Sequence, residues 1–228
     1  MDENLSERIA AAAREMQQQS GSTDTLGTVI NIALQLVPHA QEAGISLVHR
    51  SRRIDTPAAS SEVVNRVDAL QYQHKQGPCL DAIQDNEVVH SRDIADDARW
   101  PSWGEQTAQE TEIRSMMCFQ LFTHEDTIGA LNLYSRRPAA FDAHDRDHGL
   151  AVAAHAAIAV TAAQQIENLE LAMDGRTVIG QAQGILMERF DLVPEHAFAA
   201  LTRYSSTSNR KLRDVASDIV QTRKLPSS

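Results

Sequence analysis

The stretch Arg176–Phe190, RTVIGQAQGILMERF, decides how this chain reads. On a helical wheel Val178, Ile179, Ala182, Ile185, Leu186 and Phe190 fall on one side, the spacing of a helix with a single buried face. The opposite side is nearly bare: Gly180 and Gly184 lie one turn apart, flanked by Arg176, Gln183 and Met187. Each glycine costs a helix interior about 1 kcal/mol relative to alanine, so the pair implies a neighbour that needs close access. Two occupants fit, another protein helix or a non-protein partner. A membrane glycine pair fits poorly, because this helix carries charges and glutamines.

Two shorter helices follow in the sequence. Pro194 suits a first helical position, and Phe198, Leu201 and Tyr204 or Ser205 recur at helical spacing. A break at Ser205 to Ser208 leads to a third helix, capped by Ser208 or Asn209, with Leu212, Val215, Ala216, Ile219 and Val220 on its apolar face. Three short amphipathic helices bury a core only against each other, so residues 175 to about 224 read as a three-helix bundle. Its charge is distinctive. The whole chain holds 21 Lys+Arg and 31 Asp+Glu, net −10; from residue 175 onward the counts are 8 and 5, net +3, leaving −13 for the first 174 residues. A basic module on an acidic body points to nucleic acid. Arg210, Lys211 and Arg213 crowd the first turn of the third helix, where the macrodipole already places positive charge. That placement suits either a phosphate site or a solvated cationic face partly offset by Asp214.

The runs IGQAQGILMERF (179–190) and AFAALTRYSSTSNRKLRDVASDIV (197–220) resemble the ANTAR domain, the three-helix RNA-binding module of bacterial transcription antitermination regulators. Gln183 stands where the family often has lysine, and Ser205-Ser206 replace an Ala-Met pair. The resemblance implies a partner in paired hairpins of nascent mRNA, bound by a dimer so that a terminator does not form. It implies an RNA face of Arg176, Gln183 and Gly184 on the first helix, Arg203 and Tyr204 on the second, and Asn209 and Lys211 at the third. Tyr204 has two readings: a ring that stacks on an unpaired base, or core packing at helical spacing from Leu201.

The rest of the 228 residues has globular composition, with 42% hydrophobic and 23% charged residues. No uninterrupted apolar run reaches membrane length and no basic, apolar signal segment precedes the first helix, so no membrane partner is expected. Two cysteines, Cys79 and Cys118, are too few for a disulfide framework, and a reducing cytoplasm is the expected compartment. Residues 3 to 18 predict a helix with Leu5, Ile9, Ala12 and Met16 in a coiled-coil-like seam. A second helix runs from a cap at Thr23 or Asp24 to about Val37, stopped by Pro38. Between residues 43 and 141 short strands alternate with turns and two brief helices. The clearest strands are Ile45 to His49, Val88 to Ser91, Ser115 to His124 and Ile128 to Tyr134, the last two joined as a hairpin by His124-Glu125-Asp126-Thr127. Phe119 and Leu121 share one face, and Ile128, Ala130 and Asn132 share one face of the partner strand. A long helix from about Asp142 closes the region.

That order predicts an α+β fold, an antiparallel sheet with helices on one side. The pieces QGPCLDAI (76–83), RWPSW (99–103) and IGALNLYS (128–135) resemble a GAF domain in the order expected of GAF domains fused to ANTAR modules. The implied organisation is an N-terminal helix (1–20), a GAF-like sensor (21–141), a connecting and dimerisation helix (142–174) and an ANTAR three-helix domain (175–228).

The resemblance implies a small ligand, of unknown identity, or none, between the sensor's sheet and its covering helices; the residues identify no cofactor. Cys79, after Gly77-Pro78 at a helix start, is either a thiol of lowered pKa or a buried structural cysteine, and Cys118 reads as core. Trp100 and Trp103 either wall a pocket or plug the core. His144, His148 and His155 share a helix face, but the glutamate of metalloprotease chemistry is missing and no metal is expected; a pH-sensitive dimer contact is the better reading. Along the long helix Leu150, Ala154, Ile158, Ala162, Ile166, Leu169 and Met173 run at spacings of three and four, interrupted only by Gly175, which predicts a homodimer through this helix and the N-terminal one. The chain therefore reads as a non-enzymatic, signal-responsive RNA-binding antiterminator. A DNA-binding regulator is the alternative, its basic third helix entering a major groove. A methionine sulfoxide reductase would want cooperating cysteines, and the two thiols are 39 positions apart.

Overall fold

A computed structural model describes residues 5–19, 21–49, 51–84, 87–123 and 126–223. The chain divides into two compact units, residues 1–164 and 165–228. In the first, helices α1 (Leu5–Gln17) and α2 (Ser22–Leu36) lead into strands β1 (Glu42–Val48) and β2 (Ile54–Ala59). Helices α3 (Glu62–His74) and α4 (Pro78–Gln84), strand β3 (Val88–Ser91), a 3-10 turn at Ile94–Asp96, helix α5 (Pro101–Glu110) and strands β4 (Ser115–Phe122) and β5 (Thr127–Ser135) follow. The strands form one antiparallel sheet in the order β2-β1-β5-β4-β3.

Strand β3 has the bounds the sequence predicts, and β4 pairs with β5 as expected, Phe119 opposite Leu131. The turn residues His124 and Glu125 lie outside the described residues, as do the predicted first residues of α1. Strand β2, IDTPAA, is an addition: it lies at the sheet edge and is only half-buried, so it lacks an apolar alternation, and Pro57 sits where the β1–β2 register is irregular. The expectation of helices on one side is corrected. Met117, Phe119, Leu121, Leu131 and Leu133 pack with α1, α2 and the first part of helix α6 (Ala143–Phe190). Their neighbours Met116, Cys118, Ala130 and Tyr134 point the other way, into a second cluster with Val64, Val67 and Leu70 of α3, Cys79 of α4 and Trp103 of α5. Strands with two buried faces read as continuous apolar runs, which is the pattern of SMMCFQLF. Ile128, expected beside Ala130, packs with the opposite cluster, next to a register shift between Leu121 and Phe122.

Helix α6 begins with a reciprocal cap. Asp142 Oδ1 accepts from the amides of His144 and Asp145 at 2.8 and 3.0 Å, while Asp145 Oδ2 accepts from the Asp142 amide at 2.8 Å. Its alanines then let it lie close on the sheet: Val152, Ala153, Ala156, Ala157 and Val160 are buried, and a Cβ at Gly149 would run into the Phe119 ring. This helix is also long and apolar enough, by length and composition only, to cross a membrane, with a mean hydropathy of 1.4 over its most apolar window, 39% of which is buried. That refines the expectation from the sequence, where the alanine-rich stretch is short and carries His155. Helix α2 starts after Gly21 rather than at Thr23 or Asp24.

In the second unit α6 continues without a break through Gly175 to Phe190, followed by α7 (Pro194–Ser208) and α8 (Leu212–Thr222). Ala182, Leu186, Ala197, Leu201, Val215, Ala216 and Ile219 form its core, with Val178, Ile179 and Ile185 packed against it. Phe190, expected in that core, is exposed, whereas Met187, expected outside, packs against it. The break at Ser205 to Ser208 is absent: α7 runs to Ser208, and Asn209 ends it in the left-handed conformation, φ 50°. Lys211, not Ser208 or Asn209, stands at the N-cap of α8, with no side-chain capping bond. Lys75 after α3 and Arg223 after α8 are also left-handed, at φ 53° and 52°. In the sheet, Gly129 opposes Leu47, and a Cβ there would collide with the backbone carbonyl of Ser46. Gly129→Ala is therefore expected to destabilise the first unit by about 3 kcal/mol, read by equilibrium urea unfolding.

Candidate functional site

Two places carry chemistry, one in each unit. In the second unit proline pre-sets the first turn of α7, and the loop at 191–193 folds α7 back along α6. The amide Nε2 of Gln183 donates to the Pro194 carbonyl at 2.7 Å, so this residue of the expected RNA face also fastens the start of α7. Gly184, like Gly180, is exposed, and a Cβ at either position would meet nothing within 4 Å. No side chain of the described protein fills the notch. Arg176 is exposed on α6 and Arg203 on α7. Asn209 and Lys211 are brought together on the short α7–α8 turn, both exposed. Tyr204 is half-buried and packs against the core. Arg210, in the basic run, pairs with Asp218 at 2.6 Å, so the cluster is partly neutralised from within the unit. The residues that sequence reasoning placed otherwise are Phe190 and Phe198, both left exposed.

In the first unit the space between α3, α4 and the sheet is filled by a buried polar network. Asp68 of α3, fully buried, accepts from Tyr134 Oη at 2.6 Å, Thr56 Oγ1 at 2.8 Å and Gln71 Nε2 at 2.9 Å. Tyr72 Oη bonds the hydroxyls of Thr56 and Ser46 at 2.8 Å each, and Asn132 Nδ2 donates to Ser46 Oγ at 2.9 Å. The amide of Cys79 donates to Gln71 Oε1 at 2.9 Å and its thiol to Ser46 Oγ at 3.2 Å. Asn132 Oδ1 is buried without a partner. Sequence reading missed this network, although Val64, Val67, Asp68 and Gln71 stand at helical spacing and place the carboxylate on the buried stripe.

Burial raises the Asp68 carboxyl to about 6 against the bonds it accepts. Burial and the nearby Asp68 charge push the Cys79 thiol up to about 12, and burial drives Cys118 well above its ordinary value. The helix-start lowering considered for Cys79 is therefore overturned: α4 is seven residues long and the thiol is fully buried. Trp100 and Trp103 plug the core edge to face, 6.0 Å apart, their indole N–H groups on Asp81 Oδ2 and the Val67 carbonyl. The three histidines of α6 do not gather a site. His148 and His155 bond the carbonyls of Leu36 and Ala151, and the described grouping with metal-ligand spacing is His39, Asp142 and Asp145. Its carboxylates are already committed to the α6 cap, and His39 Nδ1 lies 2.7 Å from Asp145 Oδ2.

The Asp68 carboxyl titrates at about 6 when folded against 3.8 when exposed, so the folded chain holds this proton more tightly. The stability it contributes is full below pH 4 and is lost as pH rises through 6. Asp68→Asn is expected to flatten the decline between pH 4 and 6, a change of up to about 3 kcal/mol, read by urea unfolding at successive pH values.

Residues 19–161 match the GAF domain family and residues 167–220 the ANTAR domain family. No curated protein sequence matches the chain. Among solved structures the chain is similar to the GAF domain from Acinetobacter phosphoenolpyruvate-protein phosphotransferase, at 14% identity over 74% of this chain and 99% of that one, TM-score 0.57. It is similar to a bacteriophytochrome from the photosynthetic bacterium R. palustris, at 10% identity over 82% and 43%, TM-score 0.56. It is similar also to free methionine-R-sulfoxide reductase from Neisseria meningitidis in complex with its substrate, at 16% identity over 71% and 91%, TM-score 0.52. At such identities the likeness is one of fold. A GAF sensor followed by an ANTAR domain is the make-up of a signal-responsive regulator. The chain thus belongs to the GAF domain family and carries an ANTAR domain after it.

Proposed function

We propose that the chain is a non-enzymatic, RNA-binding antiterminator of the cytoplasm, which binds paired hairpins in nascent mRNA under the control of a signal sensed by the GAF domain. The observation that carries this reading is the open, glycine-notched face of α6 in a basic unit matching the ANTAR family. Arg176, Gln183, Gly184, Arg203, Tyr204, Asn209 and Lys211 are its proposed RNA contacts, cations and amides for phosphates and base edges, glycine for close backbone approach. The sensor comprises residues 21–141, the connecting helix 142–174 and the reader 175–228. A small ligand of the sensor remains the proposed signal. The buried, protonated thiols argue against sulfoxide reduction by Cys79 or Cys118.

The active form is a homodimer through α1 and α6. Ile158, Ile166, Leu169 and Met173 of the expected seam are 63, 53, 65 and 68% exposed, apolar groups that the described chain leaves in water. Light scattering is expected to return twice the chain mass. The signal acts by shifting the register or rotation of the α6 pair, with Gly175 as the hinge. A Cβ at Gly175 would meet Arg213 Cδ at an ordinary 3.8 Å, so Gly175→Ala tests the hinge without a steric penalty: signal response is expected to fall while folding is retained.

Two substitution sets test the reader against tandem RNA hairpins and duplex DNA at one stated salt concentration. Replacing Arg203 and Lys211 with glutamine is expected to weaken hairpin binding and to flatten its logarithmic salt dependence by about 1.5. Gly180→Ala with Gly184→Ala is expected to stabilise the helix by about 2 kcal/mol while weakening RNA binding. Unchanged hairpin affinity in both sets, or preference for the DNA, overturns the reading.

A further inference from the structure

We propose that Phe190 and Phe198 are a stacking platform for unpaired bases of an RNA hairpin loop; this rests on the RNA-binding reading above. The two rings are 47 and 45% exposed, although the unit has a core into which rings could have turned. Arg176, Gln183 and Phe190 follow one another at seven-residue intervals, close to two helical turns, and so form one line along α6. The bond from Gln183 to the Pro194 carbonyl fixes the start of α7 beside that line. Phe198 lies four residues after Pro194, on the same side of α7. The α6–α7 hairpin thus exposes a cation, an amide and two flat apolar rings.

The chemistry of that edge selects its occupant. An unstacked loop base offers an apolar π-face for a ring and a phosphate for a guanidinium, and aromatic stacking accepts any base. The reader's net charge of +3 favours a polyanion and opposes a second copy of the same basic surface. Tyr204, the aromatic residue expected to stack, is half-buried in the core, whereas the two phenylalanines are presented to solvent.

The test uses the full chain and tandem RNA hairpins selected for binding from a pool with randomised loops. Phe190→Leu with Phe198→Leu keeps apolar bulk and removes the flat faces; it is expected to bind about 5- to 150-fold more weakly per lost stack, with the salt slope unchanged. Abasic residues in the loop are expected to weaken binding of the native chain by a similar factor and to leave the leucine variant unaffected. Phe198→Tyr, which restores a ring, is expected to bind as the native chain does, and thermal unfolding checks that each variant is folded. Native affinity in the leucine variant, or losses from protein and RNA changes that simply add, overturns the platform while leaving the RNA reading intact. Loss of dimer mass in the leucine variant without RNA assigns the patch to self-association and overturns it too. A native chain that selects no hairpin removes the RNA reading itself.

Discussion

The close approach of α6 to the sheet, with Gly149 over the Phe119 ring, is the constraint on which the first unit depends. A helix face of mostly small residues can lie there, and HGLAVAAHAAIAV supplies one, with glycine at the Phe119 contact. Because that face is small, α1 and α2 must cover the remaining apolar surface of β1, and the cluster they complete holds Met16, Ile32 and Ile45. The other sheet face has a different solution. There α3, α4 and α5 enclose large side chains together with a hydrogen-bonded polar network in which Asn132 Oδ1 is left without a partner, so the two sides of one sheet differ in chemistry as well as in composition.

The same helix supplies residues to both hydrophobic cores, and its character changes along its length. The early part is alanine-rich and buried on one face; the later part carries Val178, Ile179, Ala182 and Leu186 inward and glycines outward. Between them Ile166, Leu169 and Met173 find no cover in the described chain. One uninterrupted run of backbone hydrogen bonds spans residues 143–190.

Much of this was legible in the residues, where local signals were strong. The β4–β5 pairing, β3 and α6 follow from apolar runs and turn residues, and the ANTAR motif located the second unit. The elements read poorly share a cause: tertiary context overrode the local pattern. Edge strand β2 has no apolar alternation and no large apolar residue after Ile54. The helical layer on α3's side was hidden because Asp68, Gln71 and Tyr72 look like a solvent face until burial pairs them with Tyr134, Thr56 and Ser46. The α7–α8 turn was misplaced by a few residues because serines and threonines near a helix end resemble caps, while here Ser205 Oγ donates to the Arg210 carbonyl and Ser208 Oγ to that of Tyr204. Phe190 was assigned inward by periodicity alone, which cannot register that the helix ends there and the chain turns away.

The left-handed helix ends have a further meaning. Lys75, Asp191, Asn209 and Arg223 hold a backbone shape that glycine adopts freely and that costs other residues about 1 kcal/mol, least for asparagine and aspartate. Three of the four lie in the second unit, around a core of seven buried side chains. Each of the second unit's three helices thus hands the chain on through a left-handed residue, at Asp191, Asn209 and Arg223, so a β-branched side chain at any of these corners would cost stability.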